Sequence, residues 1–289
     1  MRWTPGGSSD DIEDRRDDSG SGFGGFGGGG FGGIHLGIGG TLLLLVLSFV
    51  FKTNLFSLFS GGPTPTHSVS TVPNTARDAS EQKEVEFVKW VLNDVQHTWE
   101  KLLPQSGVSY RHAKLVLFRD AIRSGCGTAQ SATGPFYCPE DEKVYLDLGF
   151  FEELRQRFGA PGEFAQAYVI AHEIGHHVQK LLGIEGRIRR EQEQNPGQES
   201  RLSVSLELQA DCFAGVWGNS TEQRNLLDQS DVPAGLRAAA AVGDDRLQRM
   251  ATGHVSPESF THGSSAQRVA AFRRGLDSGA VSACTGGNR

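Results

Sequence analysis

Two histidines and a glutamate within five residues of one predicted helix have the spacing that a metal site requires. His172, Glu173 and His176 form the pattern H-E-x-x-H, and helical residues four apart lie on one face, one turn apart. The two imidazoles can therefore converge on one zinc ion. Glu173 is rotated by about 100° from His172, which brings its carboxylate near the open coordination position without binding the ion. There it could accept a proton from a zinc-activated water as a general base.

A hydrolytic zinc site needs a third protein ligand and leaves the fourth position open to water. The metzincin pattern would place a third histidine six residues after His176, but that position holds Leu182. We therefore predict that Glu207, on a following helix, is the third ligand. Asp211 lies four residues later on the same face and is predicted to accept the free ring N–H of a liganding histidine. The competing carboxylates lie in a polar segment before that helix: Glu191, Glu193 and Glu199.

An alternative interpretation of both segments needs no metal. Two helical histidines can be satisfied core residues, and two carboxylates four apart are common on a solvated helix face. Apolar residues surround both segments, however: Val169, Ile170 and Ile174 beside the histidines, Ala210 and Phe213 beside the carboxylates. These apolar surroundings favour the interpretation of both segments as parts of a metal site.

Periodic apolar residues predict the elements that position these side chains. One helix is predicted over 164–182 and ends at Gly183, with Gly175 placed where a close neighbour would need a small residue. A second helix is predicted over 202–217, after a charged loop over 186–200. The remaining predictions are helices over 85–99, 233–250 and 266–276 and strands over 114–118 and 143–148. The predicted fold class is α+β, a small sheet followed by a helical body.

The N-terminal part of the chain differs in composition from the rest. Residues 1–33 combine a mixed-charge run with a Gly/Phe-rich stretch, which predicts disorder. Residues 34–51 carry no formal charge and have about the length of one membrane-spanning helix. Their distance from the N-terminus and the missing small-residue cleavage site argue against a signal peptide. Residues 52–80 are predicted to be a flexible linker and residues 81–289 the globular domain.

The four cysteines predict two disulfides rather than a cysteine-rich metal site, because no C-x-x-C pair occurs. Cys126 and Cys138 enclose a short loop with Gly and Pro, and Cys212 and Cys284 could tie down the C-terminus. Buried free thiols are the alternative. Disulfides persist outside the cytoplasm, and positive charge before residue 34 slightly favours an N-terminus inside. We therefore expect a single-pass protein of the cell membrane with an extracytoplasmic domain.

Several motifs together resemble a known family. The segments 172–179, 207–215 and 262–268, with 134–139 and 144–148, are similar to those of the bacterial neutral zinc metallopeptidases often called YpfJ-like. The resemblance covers nearly the whole chain, including one N-terminal membrane span. It implies a gluzincin-like arrangement of H-E-x-x-H plus Glu in a mostly helical, zincin-like domain with Zn²⁺ as cofactor.

The third of these segments contains a second candidate catalytic residue. In related gluzincins a similarly placed His…Arg pair follows the ligand helix, and His262 with Arg268 resembles that pair. A cationic side chain near the metal could stabilise the oxyanion formed from a peptide carbonyl. The alternative is a helix cap with a surface charge pair, and His254 competes with His262 for the role. Tyr145 lies on a predicted strand that could be the sheet edge where such peptidases hold substrate.

These predictions favour a membrane-anchored zinc endopeptidase acting on protein or peptide substrates. The alternative is a catalytically silent, membrane-tethered scaffold or partner-binding domain that keeps zinc for structure, although Glu173 would then have no use. A zinc amidase acting on the cell wall shares the chemistry, but the chain has no recognisable wall-binding module. The net charge of −6 argues against a nucleic-acid partner.

Overall fold

The computed structural model describes residues 1–7, 9–18, 75–131 and 134–286. The predicted membrane span over 34–51 lies outside these ranges, as does most of the predicted linker over 52–80. Within the described ranges, no helix combines the length and the apolar character needed to cross a bilayer.

The strands form one four-stranded sheet and one hairpin. Six are described: β1 (Ile12–Asp14), β2 (Lys114–Phe118), β3 (Ala121–Ser124), β4 (Gly127–Gln130), β5 (Phe136–Cys138) and β6 (Lys143–Asp147). The sheet has the order β1–β2–β6–β5, and β3 and β4 form the separate hairpin. Strands β1, β2 and β6 are parallel, whereas β5 pairs antiparallel with β6. The two predicted strands are confirmed, but Tyr145 lies on β6 in the interior, so the edge on that side is β5.

Both faces of the sheet are buried, because successive strand residues point in opposite directions. One face packs on the helices in the main core, through Leu115, Leu117, Val144 and Leu146. The other face forms a smaller core with the hairpin, through Val116, Phe118, Ala129, Cys138 and Tyr145. The continuous apolar run of β2 therefore contributes side chains to both the main core and the smaller core.

The predicted α+β class is confirmed, because the rest of the described chain is mostly helical. The helices are α1 (Thr75–Leu102), α2 (Gly149–Gln156), α3 (Glu163–Leu181), α4 (Ile184–Gln194), α5 (Glu199–Gln223), α6 (Asp231–Ala241), α7 (Asp244–Thr252), α8 (Ser265–Ser278) and α9 (Val281–Thr285). The prediction of a loop over 186–200 is wrong, since most of it is helical. Its Glu, Arg and Gln residues are good helix formers. The predicted helix over 233–250 is two helices, α6 and α7, which separate at Gly243.

The described N-terminal residues are part of the fold, in contrast to the disorder predicted over 1–33. Strand β1 extends the sheet beside β2. Trp3 packs edge-on against Phe87 of α1 at 5.3 Å between ring centroids, and both carboxylate oxygens of Glu13 lie 2.9 Å from Lys143 Nζ. Charged residues that the composition predicts to lie in a solvated tail, such as Glu13, are therefore paired with residues of the domain. Residues 8 and 19–33 lie outside the described ranges.

Two close helix crossings depend on glycine. A Cβ on Gly175 of α3 would lie 2.9 Å from the carbonyl oxygen of Ala210 on α5, and one on Gly275 of α8 would lie 1.9 Å from that of Cys212 on α5. No side chain fits at either distance. The close neighbour expected at Gly175 is therefore another helix, and α5 is held directly against both α3 and α8.

Both predicted disulfides are present. The bond between Cys126 and Cys138 joins the tip of the β3–β4 hairpin to β5. The bond between Cys212 and Cys284 joins α5 to α9. Each bond connects elements that the sheet ladder and the helices alone would leave separate.

Candidate metal centre

Three side chains from two helices converge where α3 crosses α5. One potential ligand atom from each of His172, His176 and Glu207 lies within 4.8 Å of the others. Glu207 Oε2 is 3.2 Å from His172 Nε2, and Oε1 is 3.5 Å from His176 Nε2. The competing carboxylates are solvent-exposed: Glu191, Glu193 and Glu199. Of the candidates from the sequence, the structure therefore brings Glu207 to the histidines.

The donor set and its dimensions fit a zinc ion. Ligands about 2.0–2.1 Å from a tetrahedral zinc are separated by about 3.3 Å from one another. The two nitrogen–oxygen separations above are close to that value, each with a different oxygen of Glu207. Two imidazole nitrogens and one carboxylate oxygen are also a common donor set of hydrolytic zinc sites, which leave one position for water. His172, His176 and Glu207 are thus the residues that would hold the ion.

Asp211 orients the ring of His172. Its Oδ1 lies 2.9 Å from His172 Nδ1, and its side chain is fully buried. When Nδ1–H donates to Asp211, the lone pair of Nε2 faces Glu207. This contact is the one predicted for Asp211, and metal-binding histidines commonly have such a partner.

Asp211 is held in turn by Tyr168 and Arg268. The Tyr168 hydroxyl donates to Oδ1 at 2.5 Å, and Arg268 donates through Nε and Nη2 at 2.8 and 3.0 Å. Arg268 is only 3% exposed, and its Nη2 lies 3.8 Å from Glu207 Oε2. Of the predicted His…Arg pair, the arginine is therefore buried behind the cluster, where it neutralises carboxylates.

Gln179 orients the ring of His176. Its Oε1 lies 2.9 Å from His176 Nδ1. Its Nε2 donates to the carbonyl oxygen of Leu206 at 2.7 Å and to Gln209 Oε1 at 3.1 Å, both on α5. These acceptors fix the orientation of the amide and leave its oxygen for the histidine. Each liganding ring is thus held at Nδ1, with Nε2 directed to the cluster.

Glu173 lies beside the cluster without belonging to it. It follows His172 on α3 and is 7% exposed. Because consecutive helical residues are rotated by about 100°, its carboxylate leaves the face on which His172 and His176 converge.

His262 is held by Asp244, the first residue of α7. Asp244 Oδ1 lies 3.2 Å from His262 Nδ1. Its Oδ2 accepts the backbone N–H groups of Thr261, His262 and Gly263 at 2.8, 2.6 and 2.9 Å. The competing candidate His254 is exposed in the loop after α7. Between the two, His262 has the fixed position that a catalytic side chain needs.

The electrostatics of the cluster favour a bound cation. Burial lowers the pKa of His172, but the hydrogen bond and charge of Asp211 outweigh it and raise that pKa to about 10. Burial raises the pKa of Glu207, but positive charge at His176 and His262 outweighs it and holds that pKa well below its usual range. The carboxylates of Asp211 and Glu207 therefore stay ionised and attract either protons or a metal ion.

Strand β5 is attached to α3, the helix that carries the two candidate histidine ligands. The Tyr137 hydroxyl lies 2.9 Å from Nδ1 of His177 on α3. On the opposite face of β5, Phe136 stacks on Tyr145 at 5.1 Å between ring centroids, and Cys138 carries the disulfide. The edge strand is therefore held from both faces.

Some residues that orient side chains of the site were not identified from the sequence: Tyr168 beside Asp211, Gln179 beside His176 and Asp244 beside His262. Helical spacing contains a signal for the first two, since Tyr168 precedes His172 by four residues and Gln179 follows His176 by three. No local pattern marks Asp244, because its contact with His262 joins residues far apart in the chain.

Comparison with known proteins agrees with this centre. The family model described as "Putative neutral zinc metallopeptidase" matches residues 1–286. YpfJ of Escherichia coli K12, whose printed name is "Uncharacterized protein YpfJ", is 45% identical over 292 residues, 98% of each chain. "Uncharacterized protein Mb2605" of Mycobacterium bovis is 43% identical over 203 residues, 66% of this chain and 67% of the relative. No solved structure is significantly similar. Because the family match spans nearly the whole sequence and includes all three candidate ligands, the chain belongs to this neutral zinc metallopeptidase family.

Proposed function

We propose that the chain is a zinc-dependent endopeptidase that hydrolyses peptide bonds of protein or peptide substrates. The observation that carries the proposal is the convergence of His172, His176 and Glu207 within 4.8 Å, with Glu173 beside them. A zinc ion bound there would supply Lewis acidity, which lowers the pKa of water to about 7 and polarises a carbonyl group. The family description supports the same chemistry.

Glu173 is the proposed general base. Its carboxylate takes a proton as the water oxygen attacks the peptide carbonyl carbon. It then delivers that proton to the amine nitrogen as the C–N bond breaks. A purely structural metal site would have no use for a carboxylate at this position, which favours catalysis over the silent scaffold.

His262 is the proposed stabiliser of the oxyanion. Its Nδ1 lies 3.2 Å from Asp244 Oδ1, and a carboxylate at that distance favours the protonated ring. A protonated ring can donate a hydrogen bond to the carbonyl oxygen as negative charge develops on it. Asp244 keeps the ring in one orientation for this purpose.

The substrate main chain is proposed to add to the sheet along β5. An edge strand presents backbone N–H and C=O groups to which an extended peptide can bind. Strand β5 is the edge next to β6, and Tyr137 connects it to the helix that carries the histidines. A peptide bound there would lie close to the metal centre.

We further propose that the enzyme acts at a membrane, on its extracytoplasmic side. Two disulfides are typical of that side, and the apolar run over 34–51 could hold the chain to the bilayer. Strand β1 restricts how the chain can cross the membrane. It precedes the apolar run in the sequence, and yet it belongs to the sheet of the domain. Within one molecule, both ends of the segment 19–74 would therefore lie on the same face, which a single crossing does not allow.

Zinc content and peptide cleavage by the full chain test the proposed activity. We expect stoichiometric zinc and cleavage of a peptide library. Glu173→Gln should keep zinc and lower kcat by about 10²–10⁴-fold, whereas Glu207→Gln should lose zinc. The matched control is Glu199→Gln, an exposed carboxylate on the same helix, which should change neither. Equal cleavage by zinc-loaded wild type and Glu173→Gln would contradict the peptidase and favour the scaffold.

A further inference from the structure

We propose that the hydrogen bond between Tyr137 and His177 positions the substrate-binding strand β5 relative to the metal centre. Tyr137 and His177 would then be positioning residues for the reaction, although neither contacts the metal. This inference rests on the proposed peptidase function and on the addition of substrate to β5. The hydrogen bond between Tyr137 and His177 would then determine where the substrate carbonyl meets the catalytic groups.

His177 is turned away from the metal and towards the sheet. It follows the ligand His176, is fully buried, and has partners at both ring nitrogens. Nδ1 lies 2.9 Å from the Tyr137 hydroxyl, and Nε2 lies 2.7 Å from the carbonyl oxygen of Arg111. One neutral tautomer satisfies both contacts, since Nε2–H donates to the carbonyl and Nδ1 accepts from the hydroxyl. Neither nitrogen is then left to bind a metal.

The ring of His177 is also enclosed by aromatic side chains. Tyr110 contacts it edge-on at 5.6 Å between centroids, and Tyr137 lies at 5.4 Å. The hydroxyl of Tyr110 donates in turn to Gln96 of α1 at 3.2 Å. Packing from two directions holds the imidazole in one place, so the Tyr137 hydroxyl has a rigid acceptor on α3.

Within the described residues, the hydrogen bond of Tyr137 is the polar contact that joins β5 to α3, and the Tyr137 ring also packs against the main core. Strand β5 is three residues long and pairs with β6 on one side. Because strand residues alternate between faces, Phe136 and Cys138 point into the smaller core, and Tyr137 alone points towards the helix. The Tyr137–His177 bond is therefore the direct polar link between the edge strand and the metal-binding helix.

Loss of this link should weaken productive binding of extended peptides. A substrate strand follows the position of the edge to which it bonds, and small displacements of a reacting carbonyl are costly to catalysis. We expect Tyr137→Phe to raise KM by about tenfold, equivalent to about 1.4 kcal/mol of binding. Zinc content should be unchanged, because His172, His176 and Glu207 keep their contacts.

The matched control is Tyr145→Phe. The Tyr145 hydroxyl donates to Asp141 Oδ2 at 2.7 Å, so this variant also loses one phenolic hydrogen bond, but on the face of the sheet away from α3. A second pair of variants separates positioning from general damage. His177→Gln can accept from Tyr137 and donate to Arg111, and should keep KM near that of wild type. His177→Phe can do neither and should match Tyr137→Phe.

The experiment measures zinc content, KM and kcat for a peptide cleaved by the wild type, and hydrogen exchange of the β5 amides, all on the full chain. The expected result is raised KM with faster β5 exchange in Tyr137→Phe and His177→Phe, and neither change in Tyr145→Phe or His177→Gln. An active Tyr137→Phe with the KM of Tyr145→Phe would overturn the positioning role alone. A zinc-loaded wild type that cleaves no peptide would overturn the proposed function and this inference with it.

Discussion

Gly175 of α3 lies directly against the backbone of Ala210 of α5, so that a Cβ on Gly175 would come within 2.9 Å of the Ala210 carbonyl oxygen. The contact is next to His176 on one helix and next to Asp211 on the other. It therefore sets the distance at which the histidines of α3 meet the carboxylates of α5. The absence of one methyl group is a condition for the three-ligand cluster.

Gly175→Ala should separate the two helices and weaken the metal centre. An added methyl against backbone cannot be relieved by turning a side chain, and such overpacking costs about 1–3 kcal/mol. We expect a lower free energy of unfolding and weaker zinc binding, measured by denaturant titration and by competition with a chelator. The control is Gly186→Ala on α4, where the nearest atom is the end of the Arg190 side chain at 3.7 Å. That variant should be stabilised by about 0.5–1 kcal/mol; a harmless Gly175→Ala would contradict the close crossing.

Asp211→Ala should destabilise the protein more than the loss of one hydrogen bond would. It leaves the buried guanidinium of Arg268 and the Tyr168 hydroxyl without their acceptor, and an unpaired buried charge costs about 3–5 kcal/mol. Zinc affinity should also fall by about 10–100-fold, as for other partners of liganding histidines. Both quantities can be measured on the full chain.

The double variant Asp211→Ala with Arg268→Met distinguishes the two effects. Removing the unpaired charge should recover much of the stability lost in Asp211→Ala. Zinc affinity should stay low, because His172 still lacks the acceptor at Nδ1. If the double variant is as unstable as Asp211→Ala, the ion pair is not the reason for the loss.

The chemistry of the site and the contact of Asp211 with His172 could be predicted from local spacing, whereas the contacts with more distant elements could not. The ligands on α3 are four residues apart on one helix, and Glu207 and Asp211 repeat that spacing on another. For Arg268 the sequence leaves open a place near the metal or in a surface charge pair, because nothing local shows that α8 packs against α5. That packing depends on Gly275 and on contacts between residues far apart in the chain.

Two of the strands that the sequence does not predict have no local period. Strand β1 covers Ile12–Asp14 in a charged segment, and its order comes from pairing with β2 and from partners such as Lys143. Strand β5 is three residues long, too short to show an alternation. The strand proposed to bind substrate is therefore one that the local sequence does not predict.

Removal of either disulfide should destabilise the protein, and the longer loop should matter more. Cys212 and Cys284 are 72 residues apart, and Cys126 and Cys138 are 12 apart. The chain-entropy relation gives about 4 and about 3 kcal/mol, respectively. Paired Cys→Ser variants in urea, without reductant, measure both losses. The opposite order would show that the entropy of the unfolded chain does not control these bonds.

His112 should make stability depend on pH above neutrality. It joins the N-terminal segment to α1, with Nδ1 2.6 Å from Asp11 Oδ2 and Nε2 2.8 Å from Glu100 Oε1. Burial lowers its pKa, but the two hydrogen-bonded carboxylates outweigh burial and raise the pKa above 6.5. A pKa raised by folding gives stability that is complete below the unfolded value and is lost as pH rises through the folded value.

The free energy of unfolding in urea should therefore fall as the pH rises above about 6.5. His112→Gln should show a smaller fall, because it holds no proton to lose. His97→Gln serves as the control, since His97 lies on α1 with 66% of its side chain exposed. A pH dependence that is unchanged in His112→Gln would mean that other groups cause it.

If the chain is held at a membrane as proposed, residues 1–18 should lie on the same side of it as the domain over residues 75–286. The backbone N–H of Leu115 donates to the carbonyl oxygen of Asp11 at 2.7 Å, and that of Arg15 donates to Leu117 at 2.8 Å. These two hydrogen bonds lie at the two ends of the pairing between β1 and β2. Such bonds cannot form across a bilayer, so a chain that crosses once between residues 18 and 75 could not assemble this sheet from one molecule.

Cysteine labelling in intact cells tests this arrangement, because all four native cysteines are in disulfides. Asp18→Cys, at a side chain that is 58% exposed, reports on the N-terminal segment, and Gln198→Cys, also exposed, reports on the domain. We expect a membrane-impermeant maleimide to label both variants or neither before the cells are opened. Labelling of Gln198→Cys alone would place the two segments on opposite faces. The run over 34–51 would then cross once, and β1 would have to leave the sheet in the membrane-bound protein.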